Sequence, residues 1–341
     1  MAEGVANFEH PDHGRAIQHR VADLLRIVFF GTPEFAVPAL RALLAGTDPL
    51  VGVVCQPDKP AGRGQHVMMP PVKQVAAEAG IPVLQPEKLR TADVLDALRG
   101  WAPTLIVVAA YGKILPPAVL ELPARGCINV HASLLPKYRG AAPIQWAILR
   151  GDEVTGVTIM QMNERMDAGD ILLQRATPIG GDETYGELQT RLADLGAHAL
   201  MEAIAHLHAG TLRPQTQRED EMVLAPMIKK EDGRIDWTQS AVSIARRVHA
   251  FNPWPSAFTH LDGKLLKIYR AHVGAAGRPA GPGCVVAVHG DLAVATGDGA
   301  LVLDELQLEG RRRLSAAEFA RGGGIKVGTT LCSAGPRKER V

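Results

Sequence analysis

Leu105-Ile106-Val107-Val108-Ala109-Ala110 is an apolar run without the alternation that a half-solvated strand shows. A run of this kind suits a strand covered on both faces, as in a parallel sheet. Upstream, Arg26 to Phe30 (RIVFF) reads as a strand that enters the turn Gly31-Thr32-Pro33, and Leu50 to Cys55 reads as a second. Phe35 to Ala45 reads as a helix, with Pro38 in its first turn and Gly46 past its end. Val72 to Ala79 reads as another, stopped by Gly80. Downstream follow a strand at Cys127 to His131, a helix at Ile144 to Leu149 and an alternating strand at Thr155 to Met160. Strands alternating with helices predict an open, doubly wound α/β domain with a mostly parallel sheet.

From Tyr185 to His208 the spacing of Leu188, Leu192, Leu195, Ala199 and Ile204 predicts a long helix with one buried face. Gly210 to Glu221 is polar and reads as an extended linker. Beyond it lie a helix, Ala241 to Ala250, and short strands at Leu265 to Tyr269, Cys284 to Val288, Leu292 to Ala295 and Leu301 to Leu303. Short strands between Gly and Asp turns predict a small antiparallel β-barrel. The expected organisation is an extension over 1–25, an α/β domain over 26–209, a linker over 210–225, a barrel over 226–330 and a tail over 331–341. The chain after Gly328 is expected to fray.

The 341 residues carry 37 Lys plus Arg against 36 Asp plus Glu, a formal net charge of +1. That near-neutrality hides a split. From Pro226 to Val341 there are 17 basic and 11 acidic residues, a balance of +6, against −5 for the rest. A charge difference between halves points to two tasks. With 46% hydrophobic and 21% charged residues the chain is not a disordered one. No apolar run approaches the roughly 20 residues that span a bilayer, so no membrane partner is expected. The first 25 residues carry Glu3, Glu9, Asp12 and Asp23 and lack the apolar region of a signal peptide. Cys55, Cys127, Cys284 and Cys332 form no CxxC pair, which argues for reduced cysteines and against a metal site.

The segment richest in chemistry is Cys127-Ile128-Asn129-Val130-His131-Ala132-Ser133-Leu134-Leu135-Pro136. Residues two apart in a strand share a face, so Asn129 and His131 project side by side. At the carboxyl end of a parallel strand they would stand where α/β sheets bind ligands. An amide and an imidazole there can stabilise an oxyanion, and the imidazole can also move a proton. The plainer reading is a core histidine held by a backbone carbonyl. Lys137-Tyr138-Arg139-Gly140-Ala141-Ala142-Pro143 is a cationic, Gly/Pro-interrupted loop suited to an anionic ligand, and Met166-Asp167-Ala168-Gly169-Asp170 sets two carboxylates beside a glycine. Asp167 is either a turn residue or the carboxylate partner of the imidazole. Together the three groups suggest acyl transfer without a covalent enzyme intermediate. Ser133 lacks the Gly-x-Ser-x-Gly elbow of a nucleophile.

Gln56-Pro57-Asp58-Lys59-Pro60-Ala61-Gly62-Arg63-Gly64-Gln65-His66 reads as a basic loop after the second strand, able to meet phosphates through Lys59 and Arg63 or simply solvated. Phe251-Asn252-Pro253-Trp254-Pro255 reads as a domain corner. Around it lie Arg246, Arg247, Lys264, Lys267, Arg270 and Arg311 to Arg313, which on a barrel could follow a nucleic-acid backbone.

Read together, these segments closely resemble the methionyl-tRNA formyltransferase family. The match runs through RIVFFGTP at Arg26 to Pro33, QPDKPAGRG at Gln56 to Gly64, AYGKILP at Ala110 to Pro116 and INVHASLLPKYRGAAPIQWA at Ile128 to Ala147. It continues through TGVTIMQM at Thr155 to Met162, MDAGD at Met166 to Asp170, IDW at Ile235 to Trp237 and AFNPWP at Ala250 to Pro255. The resemblance implies a Rossmann-like catalytic domain, the formyltransferase fold, followed by an oligonucleotide-binding-like barrel. It implies formyl transfer from 10-formyltetrahydrofolate to the α-amine of methionyl initiator tRNA. A cytoplasmic enzyme without a metal is expected, and a monomer, although the sequence leaves the oligomeric state open. By position, Asn129, His131 and Asp167 match the catalytic trio, Ser133, Leu134, Leu135 and Pro136 the folate-contacting loop, and Arg63 the basic loop that meets the acceptor end. Lys59, Arg246 and Arg247 join Arg63 as expected tRNA contacts. Gln65-His66 and Glu164-Arg165 depart from the pattern many relatives carry. A formyltransferase for an amino sugar or a purine-pathway amine, a 10-formyltetrahydrofolate hydrolase, and an RNA-binding protein with a decayed catalytic domain are the alternatives.

Overall fold

The computed structural model describes residues 24–61, 66–275, 280–288 and 291–332. Packing divides it into two compact units. One holds the described residues up to Asn129 together with Leu200–Arg213, and the other holds Val130–Ala199 and the chain from Pro214 on.

The first unit is a parallel sheet with helical crossovers. It runs β1 (Ile27–Gly31), α1 (Val37–Ala45), β2 (Leu50–Val54), α2 (Pro71–Glu78), β3 (Val83–Leu84), α3 (Ala92–Gly100), β4 (Leu105–Ala109) and β5 (Cys127–His131). The strand order is β5-β4-β1-β2-β3, every pair parallel, with Phe29 opposite Val107 on one side and Val53 on the other. All residues of β1 and β4 are buried, as an unalternated run requires. Gly52 in β2 is dictated by packing: a Cβ there would lie 2.3 Å from the Trp101 ring, which closes over the strand. The strand boundaries predicted from sequence hold to within a residue or two. The short β3 and the helix α3 were not predicted, because β3 offers only two residues for a pattern to repeat in.

In the second unit, α4 (Pro143–Arg150) leads to β6 (Val154–Gln161) and β7 (Ile171–Pro178), an antiparallel pair in which Thr158 faces Gln174. The long helix α5 (Tyr185–His208) follows, with Leu188, Leu192, Ala199 and Ile204 buried and Leu195 half-buried. The segment after α5 is more than an extended linker. Gln215 exchanges two 2.8 Å backbone hydrogen bonds with Ile171, and Val223 and Ala225 bond to the backbone at Pro136, Arg139 and Ala142.

The barrel consists of α6 (Ala241–Ala250), β8 (Ala257–Leu261), β9 (Lys264–Gly274), β10 (Val285–Ala287), β11 (Leu292–Ala295), β12 (Ala300–Leu308) and α7 (Ala316–Arg321). Its strands order as β8-β9-β12-β11-β10, all antiparallel. Ser240 caps α6 by accepting from the Ser243 amide, and Ile244, Val248, Leu266, Ile268, Leu301, Leu306 and Phe319 share one core. Residues 329–332, expected to fray, instead bridge the two sheet edges, while the rest of the expected tail lies outside the described residues. Leu331 and Val285 bond across to Gly283 and Thr329 beside β10, while Cys332 and His260 exchange two 3.0 Å bonds at β8. Two unpaired edges would leave a row of backbone donors and acceptors unmet, and this segment satisfies them. Among the described residues no helix is long and apolar enough to cross a membrane.

Candidate active site

His131 ends β5 and is buried. Its Nε2 lies 2.9 Å from the carbonyl oxygen of Tyr138. A carbonyl can only accept, so Nε2 carries the proton and Nδ1 is the nitrogen left for chemistry. Nδ1 stands 3.7 Å from Oδ2 of Asp167. Nε2 thus makes the contact of a core histidine, and Nδ1 is left facing the Asp167 carboxylate. Asn129, two positions earlier and half-buried, shares the strand face of His131 by alternation.

The loops that meet His131 hold unusual backbone. Tyr138 has φ +65° and Asp167 φ +50°, left-handed conformations uncommon outside glycine. Each is fixed by neighbours. The Tyr138 hydroxyl donates to Asp152 at 2.8 Å, and burial together with that carboxylate pushes its pKa up. The Gly140 amide donates to Asp167 Oδ2 at 2.9 Å. Gly140 itself has φ +125°, and a Cβ there would come within 2.7 Å of the Ala225 carbonyl.

Arg139 and Gln217 belong to this site; the sequence marks Arg139 as part of a cationic loop and gives no sign of Gln217. The guanidinium of Arg139 is buried, donating from Nε to Gln217 Oε1 at 3.0 Å and from Nη1 to Glu219 at 3.1 Å. Glu219 also accepts from Arg165 at 3.0 Å, and its hydrogen bonding to Arg139 holds its carboxyl below the usual range. Gln217 Nε2 donates to the carbonyls of Asp167 and Gly169, at 2.8 and 2.7 Å. Both acceptor-side residues lie in a run that reads as solvated, TLRPQTQREDE, and only the fold carries them here.

The loop after His131 is held from inside. Ser133 donates from Oγ to the Lys137 carbonyl at 2.6 Å, so its hydroxyl shapes the loop and is not a nucleophile. Thr158 donates to the Ser133 carbonyl at 2.6 Å and accepts from the Leu135 amide at 3.1 Å, while Gln174 donates to the Leu135 carbonyl. Leu134 and Pro136 stay half-buried and Leu135 is buried.

Of the expected tRNA contacts, Lys59 is exposed and Arg63 lies outside the described residues. Arg246 and Arg247 are half-buried on α6. The Arg246 guanidinium packs on Gly151, where a Cβ would meet its Cζ at 2.0 Å, and Arg247 donates to the Asp232 carbonyl at 2.6 Å beneath the Phe251 ring. Both sit on a helix of ten residues whose one face is core, and a long side chain there lies along the packed surface. Arg270, Arg312 and Arg313 pair with Glu187, Glu318 and Glu305. Lys264, Lys267 and Arg311 form no salt bridge among the described residues.

Residues 25–204 match the family Formyl transferase, and residues 227–324 match Formyl transferase, C-terminal domain. The chain belongs to the formyl transferase family. Within it, the methionyl-tRNA formyltransferase of Geobacter sulfurreducens is 49% identical over 91% of this chain and 98% of its own. That of Myxococcus xanthus is 51% identical over 91% and 99%. Among solved formyl transferases, WlaRD, a sugar 3N-formyl transferase, is similar in fold with a TM-score of 0.63 at 17% identity, over 85% of this chain and 99% of its own. HypX from Aquifex aeolicus gives a TM-score of 0.61 at 20% identity over 86% of this chain, which spans 46% of the HypX chain. In family terms, the first matched region contains His131 and Asp167, and the second contains most of the barrel.

Proposed function

We propose that this chain transfers the formyl group of 10-formyltetrahydrofolate to the α-amine of methionyl initiator tRNA, giving N-formylmethionyl-tRNA for translation initiation. The observation that carries the reading is identity of about half, over nine-tenths of the chain, to methionyl-tRNA formyltransferases. A chain with this task works where translation does, in the cytoplasm, and acts as a monomer. The domain limits proposed are those of the sequence, 26–209 for catalysis and 226–330 for tRNA, the latter extended to Cys332 by its edge pairing.

The residues after His131 suit a folate. Leu134, Leu135 and Pro136 would hold the face of a flat heterocycle, and Ser133 contributes through loop shape because its hydroxyl is committed internally. The co-substrate supplies a formyl carbon activated by its bond to a folate nitrogen. The neutral amine forms the new C–N bond as the bond to that nitrogen breaks, and one proton passes from the amine to the departing nitrogen. Asn129 donates to the oxyanion that develops, and so does His131 once Nδ1 is protonated as well, an effect worth about 3 kcal/mol per donor in comparable sites. Asp167 balances the imidazolium and accepts the amine proton on the way. Lys59 and Arg63 meet tRNA phosphates, joined by Lys264, Lys267 and Arg311.

The test is to supply labelled 10-formyltetrahydrofolate with methionyl initiator tRNA, with amino sugars, with purine-pathway amines and with no acceptor. Label in N-formylmethionyl-tRNA is the expected outcome. Label in another amine, or release as formate at the same rate without tRNA, overturns the reading.

A further inference from the structure

Gln217 lies outside every motif that marks the site, yet it is nearly inaccessible, 5% exposed, and every polar atom of its side chain is used. Its orientation is forced. Arg139 Nε–H must donate, so the atom at 3.0 Å is the amide oxygen, and the amide nitrogen then faces the carbonyls of Asp167 and Gly169. One of those carbonyls belongs to Asp167, the residue whose carboxylate faces His131, and the other lies two residues on. A non-glycine residue at φ +50° is strained and persists only where its surroundings over-determine it. The surroundings here are few. The Gly140 amide holds the carboxylate, and Gly169 closes on Gln161, where a Cβ would meet the Gln161 carbonyl at 1.7 Å. Gln217 supplies the hydrogen bonds that hold the loop backbone between them, and it is itself aimed by buried Arg139.

We infer that Gln217 is a positioning residue for formyl transfer: it fixes the Asp167 loop so that the carboxylate meets Nδ1 of His131. The inference rests on the reading of Asp167 as catalytic. Gln217 is anchored by backbone pairing of Gln215 to Ile171 on one side and by the Arg139–Glu219 pair on the other. The segment between the long helix and the barrel thus carries part of the catalytic geometry in addition to joining two domains.

Gln217→Glu is close to isosteric, keeps the acceptor for Arg139 and removes both donors to the loop. A misplacement of about 1 Å at a reacting group can cost about a hundred-fold. Gln217→Glu and Gln217→Ala are therefore expected to lower kcat roughly 10- to 100-fold, with KM for methionyl-tRNA and for the formyl donor changed less than about three-fold. The deciding measurement is the cycle with Asp167→Asn. If Gln217 acts through Asp167, adding Gln217→Ala to Asp167→Asn lowers kcat less than about three-fold further. A full 10- to 100-fold additional loss, or single variants that raise KM and leave kcat intact, overturns the inference. Should Asp167→Asn alone leave kcat unchanged while Gln217→Glu lowers it, the catalytic reading of Asp167 fails instead. Thermal unfolding of each variant in the same buffer separates lost positioning from lost folding.

Discussion

His131 donates Nε2–H to the Tyr138 carbonyl at 2.9 Å and so turns Nδ1 toward Asp167, 3.7 Å away. The carbonyl it uses belongs to a residue at φ +65°, a conformation that brings the backbone oxygen back to the strand end. The tautomer is set by geometry before any substrate arrives. His131→Ala is expected to lower turnover about a hundred- to a thousand-fold, the cost of losing one oxyanion donor, while leaving tRNA binding within about three-fold. Single-turnover formylation beside equilibrium binding of the same tRNA checks it; weakened binding at unchanged turnover would remove His131 from the chemistry.

The parallel sheet was legible because its strands are unalternated apolar runs such as Leu105 to Ala109, and the candidate site stands out in the sequence because Asn129 and His131 share one strand face. What was hidden depends on contacts between segments far apart in sequence. Gln217 and Glu219 sit in a polar run with no periodicity, and nothing local tells a solvated glutamine from one held by a buried arginine. Arg246 and Arg247 pose the opposite case. Charge in sequence is visible and packing is not, so two cations that lie along the barrel helix read as a nucleic-acid surface.

That difference separates the basic residues by experiment. Arg63→Ala is expected to weaken tRNA binding and to reduce the slope of log affinity against log salt by about 0.7 to 1, as for the loss of one phosphate contact. Arg247→Ala is expected to leave that slope unchanged and to lower the melting temperature, because its guanidinium is spent on the Asp232 carbonyl and the Phe251 ring. A salt titration of tRNA binding for both variants distinguishes them; a changed slope for Arg247→Ala would restore it to the tRNA surface.

Acid stability has an identifiable contributor at the start of α5. The Thr184 amide and hydroxyl both donate to Glu187, which also pairs with Arg270, and these hydrogen bonds lower its pKa from 4.5 to about 2. A carboxyl lowered in the folded state stabilises it above the unfolded value, and the contribution is lost as pH falls from about 4.5 towards 2. Glu187 is half-exposed, so solvent screening keeps the effect small. Glu187→Gln is expected to lower the melting temperature at pH 6 and to match the parent near pH 2. Melting curves across that range test it, and a constant difference at every pH would mean that charge plays no part.

The barrel is closed by Thr329 to Cys332, with Leu331 buried between the edges. Leu331→Ala is expected to destabilise the fold by about 2–4 kcal/mol, within the range for a buried leucine. A chain ending at Gly328 should also expose the backbone of β8, seen as faster amide exchange at His260. Unchanged exchange at His260 in the shortened chain would show that the edge does not rely on this segment.

Gly151 ends α4 at φ +73°, and the Arg246 guanidinium lies on it so closely that no Cβ fits. Gly151→Ala therefore meets two costs. The left-handed backbone alone costs about 1 kcal/mol for a residue with a Cβ, and the guanidinium, the far end of a flexible side chain, must also move aside at a smaller cost. The two can be separated because only the second depends on Arg246. Gly151→Ala is expected to be more destabilising than Arg246→Ala, and the double variant should recover the overpacking part while retaining the backbone part. Denaturant unfolding of the parent, both single variants and the double variant gives the coupling directly. Strict additivity of the two substitutions would show that Arg246 swings away freely and does not fasten the barrel helix to the end of α4.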